Sequence, residues 1–149
     1  MEIENSRWKI PCQSKPKLRN YIKYKNHLET ETYVTCNLNR KERSYVAQTR
    51  LGILPIQIET GRFSKLPLNE RICEFCTSAE IEDEAHFLFR CENYTRQRDA
   101  FLNKIGIHHD IENISSPEFT RLIFTSFPRQ VSKYIISIFD IRKSQLYTS

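Results

Sequence analysis

Four side chains that can bind a soft metal ion lie within a short stretch of this 149-residue chain. They are Cys73, Cys76, His86 and Cys91, in the order Cys-x2-Cys-x9-His-x4-Cys. Two thiolates separated by two residues can face one ion from a tight turn, and the next loop is long enough to return an imidazole and a third thiolate to its other side. Three sulfurs and one nitrogen complete the tetrahedral shell that Zn2+ accepts. The spacing predicts one Zn2+ ion, and because protein fills all four positions, the site is expected to be structural.

Two other interpretations of these cysteines remain open at the level of sequence. They could be buried small hydrophobic residues beside a surface histidine, or Cys73 and Cys76 could form a redox dithiol, although the βαβ pattern that usually accompanies such a dithiol is missing. Cys12 and Cys36 have no paired spacing and are expected to be ordinary free cysteines. Residues 1–10 lack the basic-then-apolar order of a secretory signal, so we expect an intracellular protein, in the nucleus or the cytoplasm, without disulfides.

The loop between the second and third ligands is acidic. Glu80, Glu82, Asp83 and Glu84 precede His86, and carboxylates at this point favour a helix that begins near Asp83. One of these carboxylates could accept a hydrogen bond from the ring nitrogen of His86 that does not bind the metal. Because acids repel phosphate, we do not expect nucleic acid to contact the surface next to the metal.

Composition indicates one small helical domain. Hydrophobic residues make up 39% of the chain and charged residues 28%, which is typical of a soluble globular protein rather than a disordered or membrane protein. The longest dense apolar run, from Tyr134 to Phe139, is far shorter than the roughly 20 residues that span a bilayer. The chain has only 3 glycines, which argues against a sheet with many tight hairpins. We predict a mainly α fold over residues 1–149, organised around the zinc site.

Local patterns predict helices on the N-terminal side of the cysteines. An amphipathic helix with a basic outer side is expected over residues 17–28. The next ten residues are unassigned, with a short strand at 32–35 as one alternative. Asn39 and Glu42 form a capping-box pair, which predicts a helix to about Leu51 that ends at Gly52. Residues 53–58 are expected to be extended, followed by a turn at the TGRF sequence, 60–63.

The chain beyond the cysteines is also expected to be helical. We predict a helix over 94–105 that ends at Gly106. A C-terminal helical segment, 114–147, is then expected to contain two helices. Ser115, Pro117 and Glu118 mark the start of the first, with a buried stripe of Phe119, Leu122 and Ile123. The second follows Pro128 and has one apolar face made of Val131, Tyr134, Ile135, Ile138 and Phe139.

The basic residues are concentrated at the N-terminal end. Residues 1–50 contain 11 Lys or Arg and 5 Asp or Glu, whereas residues 51–100 contain 6 and 9. This excess is compatible with a nucleic-acid partner. Cations of the first two predicted helices are the candidates for phosphate contact: Lys17, Arg19, Lys23, Lys25, Arg40, Lys41, Arg43 and Arg50.

Residues 42–98 resemble the zinc-binding region that lies C-terminal to the polymerase in reverse transcriptases of non-long-terminal-repeat (LINE-like) retrotransposons, and in host proteins derived from them. The resemblance is carried by RSYVAQTRLGILPIQIETGRF before the ligands, by IEDEAHFLFRC around the last two, and by CENYTRQR after them. It implies the same four metal ligands, Cys73, Cys76, His86 and Cys91. It also implies contact with RNA or DNA during element insertion.

The sequence contains no Asp-Asp polymerase motif and no endonuclease segment, so we expect no catalytic activity. The chain would then be part of a larger reverse transcriptase polypeptide or an independent product of a decayed or recruited element. We expect it to bind RNA or DNA with little sequence preference. The alternative is a zinc-stabilised protein-interaction or scaffolding module whose C-terminal apolar face docks another chain.

Overall fold

The fold is mainly helical in the computed structural model, which describes residues 15, 18, 20–25, 29–108 and 114–148. Within these ranges no strand is formed, and the one β-bridge joins Ile72 to Ile81. The α-helices, numbered α1 to α7, are Tyr21–Tyr24, Thr32–Thr35, Arg40–Leu51, Gln57–Phe63, Thr95–Lys104, Pro117–Ser126 and Pro128–Thr148. Short 3-10 turns lie at Leu68–Glu70 and Glu92–Tyr94, and a π-helical turn spans His86–Arg90. The predicted fold class is confirmed.

Local signals fix both ends of α3. The side chain of Asn39 accepts a hydrogen bond from the backbone N–H of Glu42, and the Glu42 carboxylate accepts one from the backbone N–H of Asn39. Gly52 ends the helix with φ of 68°, in the left-handed conformation that glycine adopts without steric cost. The predicted capping box and stop are both confirmed.

The long C-terminal helix α7 contributes five residues to the hydrophobic core. Its predicted apolar face is confirmed: Val131, Tyr134, Ile135, Ile138 and Phe139 are all buried. The helix packs along α3 and α5 and also contacts α6. The Phe101 ring of α5 stacks on Tyr134 with ring centroids 4.7 Å apart. No helix in the described ranges is long and apolar enough to cross a membrane.

The predicted ends of α5 and α6 match the structure more closely than the predicted buried stripe of α6 does. Gly106, with φ of 72°, follows α5 as predicted. The side chain of Ser116, rather than Ser115, caps α6 by accepting a hydrogen bond from the Phe119 N–H. The predicted stripe on α6 is wrong at Leu122, which is 47% exposed. Thr120 and Phe124 are buried with Ile123 in its place, because the neighbouring helices cover that side of α6.

The predicted helix over 17–28 lies partly outside the described residues, and its described part forms only α1. Lys25 follows α1 with extended backbone, φ of −107° and ψ of 120°. The strand alternative at 32–35 is wrong, since these residues form α2. Their β-branched side chains favour a strand, but α2 packs against α3, α6 and α7, and this tertiary packing outweighs the local preference.

The predicted turn at the TGRF sequence is also wrong, because these residues lie within α4. The N-terminus of α4 is stabilised by a distant side chain: the Glu82 carboxylate accepts a hydrogen bond from the backbone N–H of Gln57 at 2.7 Å. Gly61 lies against Arg71, and a Cβ atom at Gly61 would come within 2.7 Å of the Arg71 Cγ. The glycine is therefore required for helix packing rather than for a turn.

Candidate metal centre

Short irregular elements bring the four predicted ligands together. Cys73 follows the bridge between Ile72 and Ile81, and its backbone N–H donates to the Glu80 carbonyl at 2.9 Å. His86 opens the π-helical turn, and the Cys91 N–H closes that turn onto the His86 carbonyl at 2.8 Å. The π turn thus brings His86 and Cys91 to the same side of the loop, facing the first two ligands.

Two of the distances between ligand atoms are close to the edges of a tetrahedral zinc site. The Sγ atoms of Cys73 and Cys91 are 3.8 Å apart, and the Cys76 Sγ lies 3.5 Å from the His86 Nε2. Bond lengths of about 2.3 Å for Zn–S and about 2.0–2.1 Å for Zn–N give tetrahedron edges of about 3.8 Å for S–S and about 3.6 Å for S–N. All four ligand atoms lie within 4.8 Å of one another. The cluster can therefore hold one metal ion.

The ligands are enclosed by apolar residues. Cys73, His86 and Cys91 are buried and Cys76 is half-buried. Phe87 and Leu88, which lie between the last two ligands, have no exposed surface. Four protein ligands fill a tetrahedral shell, so the arrangement leaves no coordination position for a substrate or a reactive water.

Of the acids before His86, Glu80 is the one whose carboxylate contacts the second ring nitrogen of His86. The Glu80 Oε2 lies 3.2 Å from the His86 Nδ1 and 2.9 Å from the Nε of Arg90. This contact directs Nε2 of the ring towards the three sulfurs, which is the usual way in which a carboxylate orients a metal-binding histidine. The predicted helix start at Asp83 is confirmed as well, because the Asp83 Oδ1 accepts a hydrogen bond from the His86 N–H at 2.7 Å.

Protons compete with a metal ion for this cluster. The hydrogen bond between the two thiols lowers the pKa of Cys73 and raises the pKa of Cys91. Burial lowers the pKa of His86, but its contacts with Cys73 and Glu80 outweigh burial and raise that pKa to about 9. Metal binding must release the protons from Cys91 and His86, so metal affinity depends on pH.

Glu82 connects the metal loop to the rest of the fold, and sequence reasoning did not single it out for this role. Its side chain is fully buried and pairs with Arg142 of α7, while its other oxygen caps α4 at Gln57. The Cys73 Sγ lies 3.9 Å from the Glu82 Oε1, and the Arg142 guanidinium lies over the Phe75 ring at 4.5 Å. Burial raises the pKa of Glu82 to about 7, although Arg142 opposes this change. The run of four acids in the sequence does not indicate which one is buried.

The candidate nucleic-acid residues fall into two groups. Lys25 and Arg50 are buried, and both form ion pairs with Glu31, at 2.9 Å and 2.6 Å. The Arg50 guanidinium also lies over the Tyr24 ring at 5.4 Å. These two cations are buried and share the Glu31 carboxylate, so we leave them out of any proposed interface. The exposed candidates are Lys23, Arg40, Lys41 and Arg43, whereas Lys17 and Arg19 lie outside the described residues.

No family model, curated protein or solved structure matches this chain.

Proposed function

We propose that this chain is a zinc-binding module of retrotransposon origin that binds RNA or DNA through a basic surface and is not itself catalytic. Zn2+ is the ion proposed because three thiolates and one imidazole form a soft, tetrahedral donor set with no open position. The metal would then stabilise the fold of the loop that contains its four ligands. The retrotransposon origin rests on the resemblance of residues 42–98 described above.

The observation that supports nucleic-acid binding is a group of exposed cations on α3 and α7. We call it the basic face, and it consists of the exposed residues Arg40, Lys41, Arg129, Lys133 and Lys143. Two contacts join the two helices, Lys41 to Asp140 at 3.9 Å and Lys143 to the Tyr45 hydroxyl at 3.0 Å. A third joins α7 to the segment just before α3, from Arg129 to the Asn37 carbonyl at 2.5 Å.

These contacts place Lys41, Arg129 and Lys143 where α7 lies beside α3, with the acid Asp140 next to Lys41. The Lys41–Asp140 pair is weak, because the lysine side chain is 57% exposed and the aspartate side chain 55% exposed. Water therefore screens the attraction between the two charges. The basic face thus keeps most of its positive charge. Exposed lysines and arginines on a helix surface attract phosphates of any sequence. Contacts with phosphates do not distinguish one base from another, so we expect little sequence preference.

The protein-interaction alternative has lost the surface first proposed for it, because the apolar face of α7 is buried in the chain's own core. One observation still favours it. Three apolar side chains before Cys73 are well exposed: Phe63 at 71%, Leu68 at 55% and Ile72 at 40%. Measurement of molecular size in solution tests this second candidate, since an apolar docking patch promotes self-association.

The experiment that tests the proposed function begins with the metal content of purified protein, expected to be one Zn2+ per chain. Binding to single-stranded and duplex oligonucleotides is then measured by fluorescence anisotropy at several salt concentrations. We expect the affinity to fall steeply with salt, because bound cations displace counterions from phosphates. No binding, or binding that salt does not change, would show that the phosphate mechanism is wrong.

A charge-neutralised variant identifies the surface. Replacing Arg40, Lys41, Arg129 and Lys143 together by Gln should reduce the slope of log affinity against log salt by about 3, since each phosphate contact contributes about 0.7–0.9. The control is Lys65→Gln, which removes an exposed cation outside the basic face. If both proteins keep the wild-type slope, the basic face is not the binding surface.

A further inference from the structure

A small groove lies between α5 and α7, beside the basic face. Its volume is about 220 Å³. The buried, stacked rings of Phe101 and Tyr134 form its floor. Its rim carries two lysines and two amides, namely Lys104, Lys133, Gln97 and Gln130.

We propose that this groove holds one unpaired nucleotide of a single-stranded nucleic acid, with its base inside and its phosphates against Lys104 and Lys133. This inference rests on the proposed function and deepens it. It makes single strands, rather than duplexes, the preferred partner.

The size and lining of the groove favour a nucleotide over other occupants. Sites for drug-sized ligands measure roughly 300–1,000 Å³, so the smaller volume here suits a single ring system. The apolar floor can pack against a base, and the amides of Gln97 and Gln130 offer both donors and acceptors to its edge. The lining contains no acid, and its two lysines complement phosphate.

The position of the groove connects it to the basic face. Lys133 belongs to both, and Arg129 precedes Lys133 by one turn of α7. A strand with one base in the groove would therefore place its neighbouring phosphates near Arg129 and the start of α3, where Arg129 contacts the Asn37 carbonyl. A base in a duplex stays stacked and paired and cannot enter.

A groove-filling variant tests the proposal without disturbing the core. Ala100 lines the groove and is exposed on α5, so Ala100→Trp places a large ring in the groove from its solvent side. We expect this change to weaken binding of a single-stranded oligonucleotide about tenfold, the magnitude of losing one base–aromatic contact, and to leave duplex binding unchanged. The control is Asn103→Trp, an exposed position on the same helix outside the groove, which should bind like wild type.

Abasic oligonucleotides separate base binding from phosphate binding. Wild-type protein should bind a base-containing strand about tenfold more tightly than an abasic strand of equal length, and Ala100→Trp should abolish that preference. Circular dichroism and zinc content confirm that each variant is folded. Equal affinity for both strands would overturn the inference, as would polyglutamate that competes as well as the oligonucleotide, which would indicate an acidic polypeptide as the partner.

The two proposals fail in different ways. If wild-type protein binds oligonucleotides with the expected salt dependence but Ala100→Trp binds single strands equally well, the groove inference is wrong and the proposed function stands. If wild-type protein binds no oligonucleotide at any salt concentration, the proposed function is wrong and the groove inference is overturned with it.

Discussion

Replacement of Arg142 by Met should destabilise the protein strongly, because Arg142 neutralises a carboxylate deep in the fold. Arg142 is 3% exposed and Glu82 is fully buried, and the two form an ion pair. Without the guanidinium, the Glu82 carboxylate keeps the backbone N–H of Gln57 as a hydrogen-bond donor, at 2.7 Å, but loses its counter-charge. Breaking one side of a buried ion pair costs about 3–5 kcal/mol.

A loss of this size is a large part of a typical domain stability of about 5–15 kcal/mol. It corresponds to a fall in melting temperature of roughly 6–20 °C for a chain of this length. The assay is urea unfolding of the zinc-loaded protein at a pH of about 8.5, above the pKa of about 7 of Glu82, so that this carboxylate is ionised in the wild-type protein. Unfolding is followed by circular dichroism, with thermal melting as a second measure. Lys143→Met is the matched control, because Lys143 is the next residue on α7 but is exposed, and we expect it to cost less than about 1 kcal/mol.

A double-mutant cycle separates the ion pair from packing. Glu82→Gln with Arg142→Met removes both charges of this pair, so the double variant should be more stable than the sum of the single effects predicts, by at least about 2 kcal/mol. If Arg142→Met alone lies within about 1 kcal/mol of wild type, the buried pair does not hold α7 to the metal loop.

Four further predictions concern the metal site and a helix cap. Chelation of the metal should unfold at least residues 62–105, because zinc binding in such sites contributes about 10–16 kcal/mol; circular dichroism that is unchanged after complete metal removal would contradict this. Cys91→Ser should abolish stoichiometric zinc binding in a metal assay, whereas Cys36→Ser should not, since Cys36 is not part of the cluster. Metal affinity, measured by competition with a chelator, should rise at least about tenfold per pH unit from pH 6 to 8. The reason is that the pKa of His86 is raised to about 9, so its proton and that of Cys91 must leave when the metal binds. An affinity independent of pH would refute the assigned protonation states. Asn39→Ala should cost about 1 kcal/mol in urea unfolding through loss of the capping box; no loss would mean that tertiary packing alone sets that helix end.

Features that depend on neighbouring residues were predictable from the sequence. The start of α3 needs only Asn39 and Glu42, and its end needs only Gly52, because caps are formed within one turn of the chain. The apolar face of α7 was equally clear, since five buried positions repeat at helical spacing. The turn predicted at the TGRF sequence failed for the opposite reason: the group that caps α4 is Glu82, 25 residues beyond Gln57.

The cations of the basic face show the same difference between what the sequence predicts and what tertiary packing decides. Sequence alone placed all candidate cations in the first two predicted helices, but Lys25 and Arg50 are buried against Glu31. Arg129 and Lys143 were not predicted as candidates, because they become part of the basic face only when α7 packs beside α3. Charge density along the chain does not reveal which charges face solvent.

The sequence by itself determined the candidate metal centre, namely its four ligands and its closed shell, but it did not show which of the four acids before His86 contacts that ring. Prediction of the ligands was possible because a turn and a short loop within 19 residues form the whole cluster. Only the tertiary structure decided how that centre is connected to the fold through Glu82 and Arg142, and which cations and which groove remain on the surface. These features join residues that are distant in sequence, and their energies arise from burial and charge pairing that no local pattern contains.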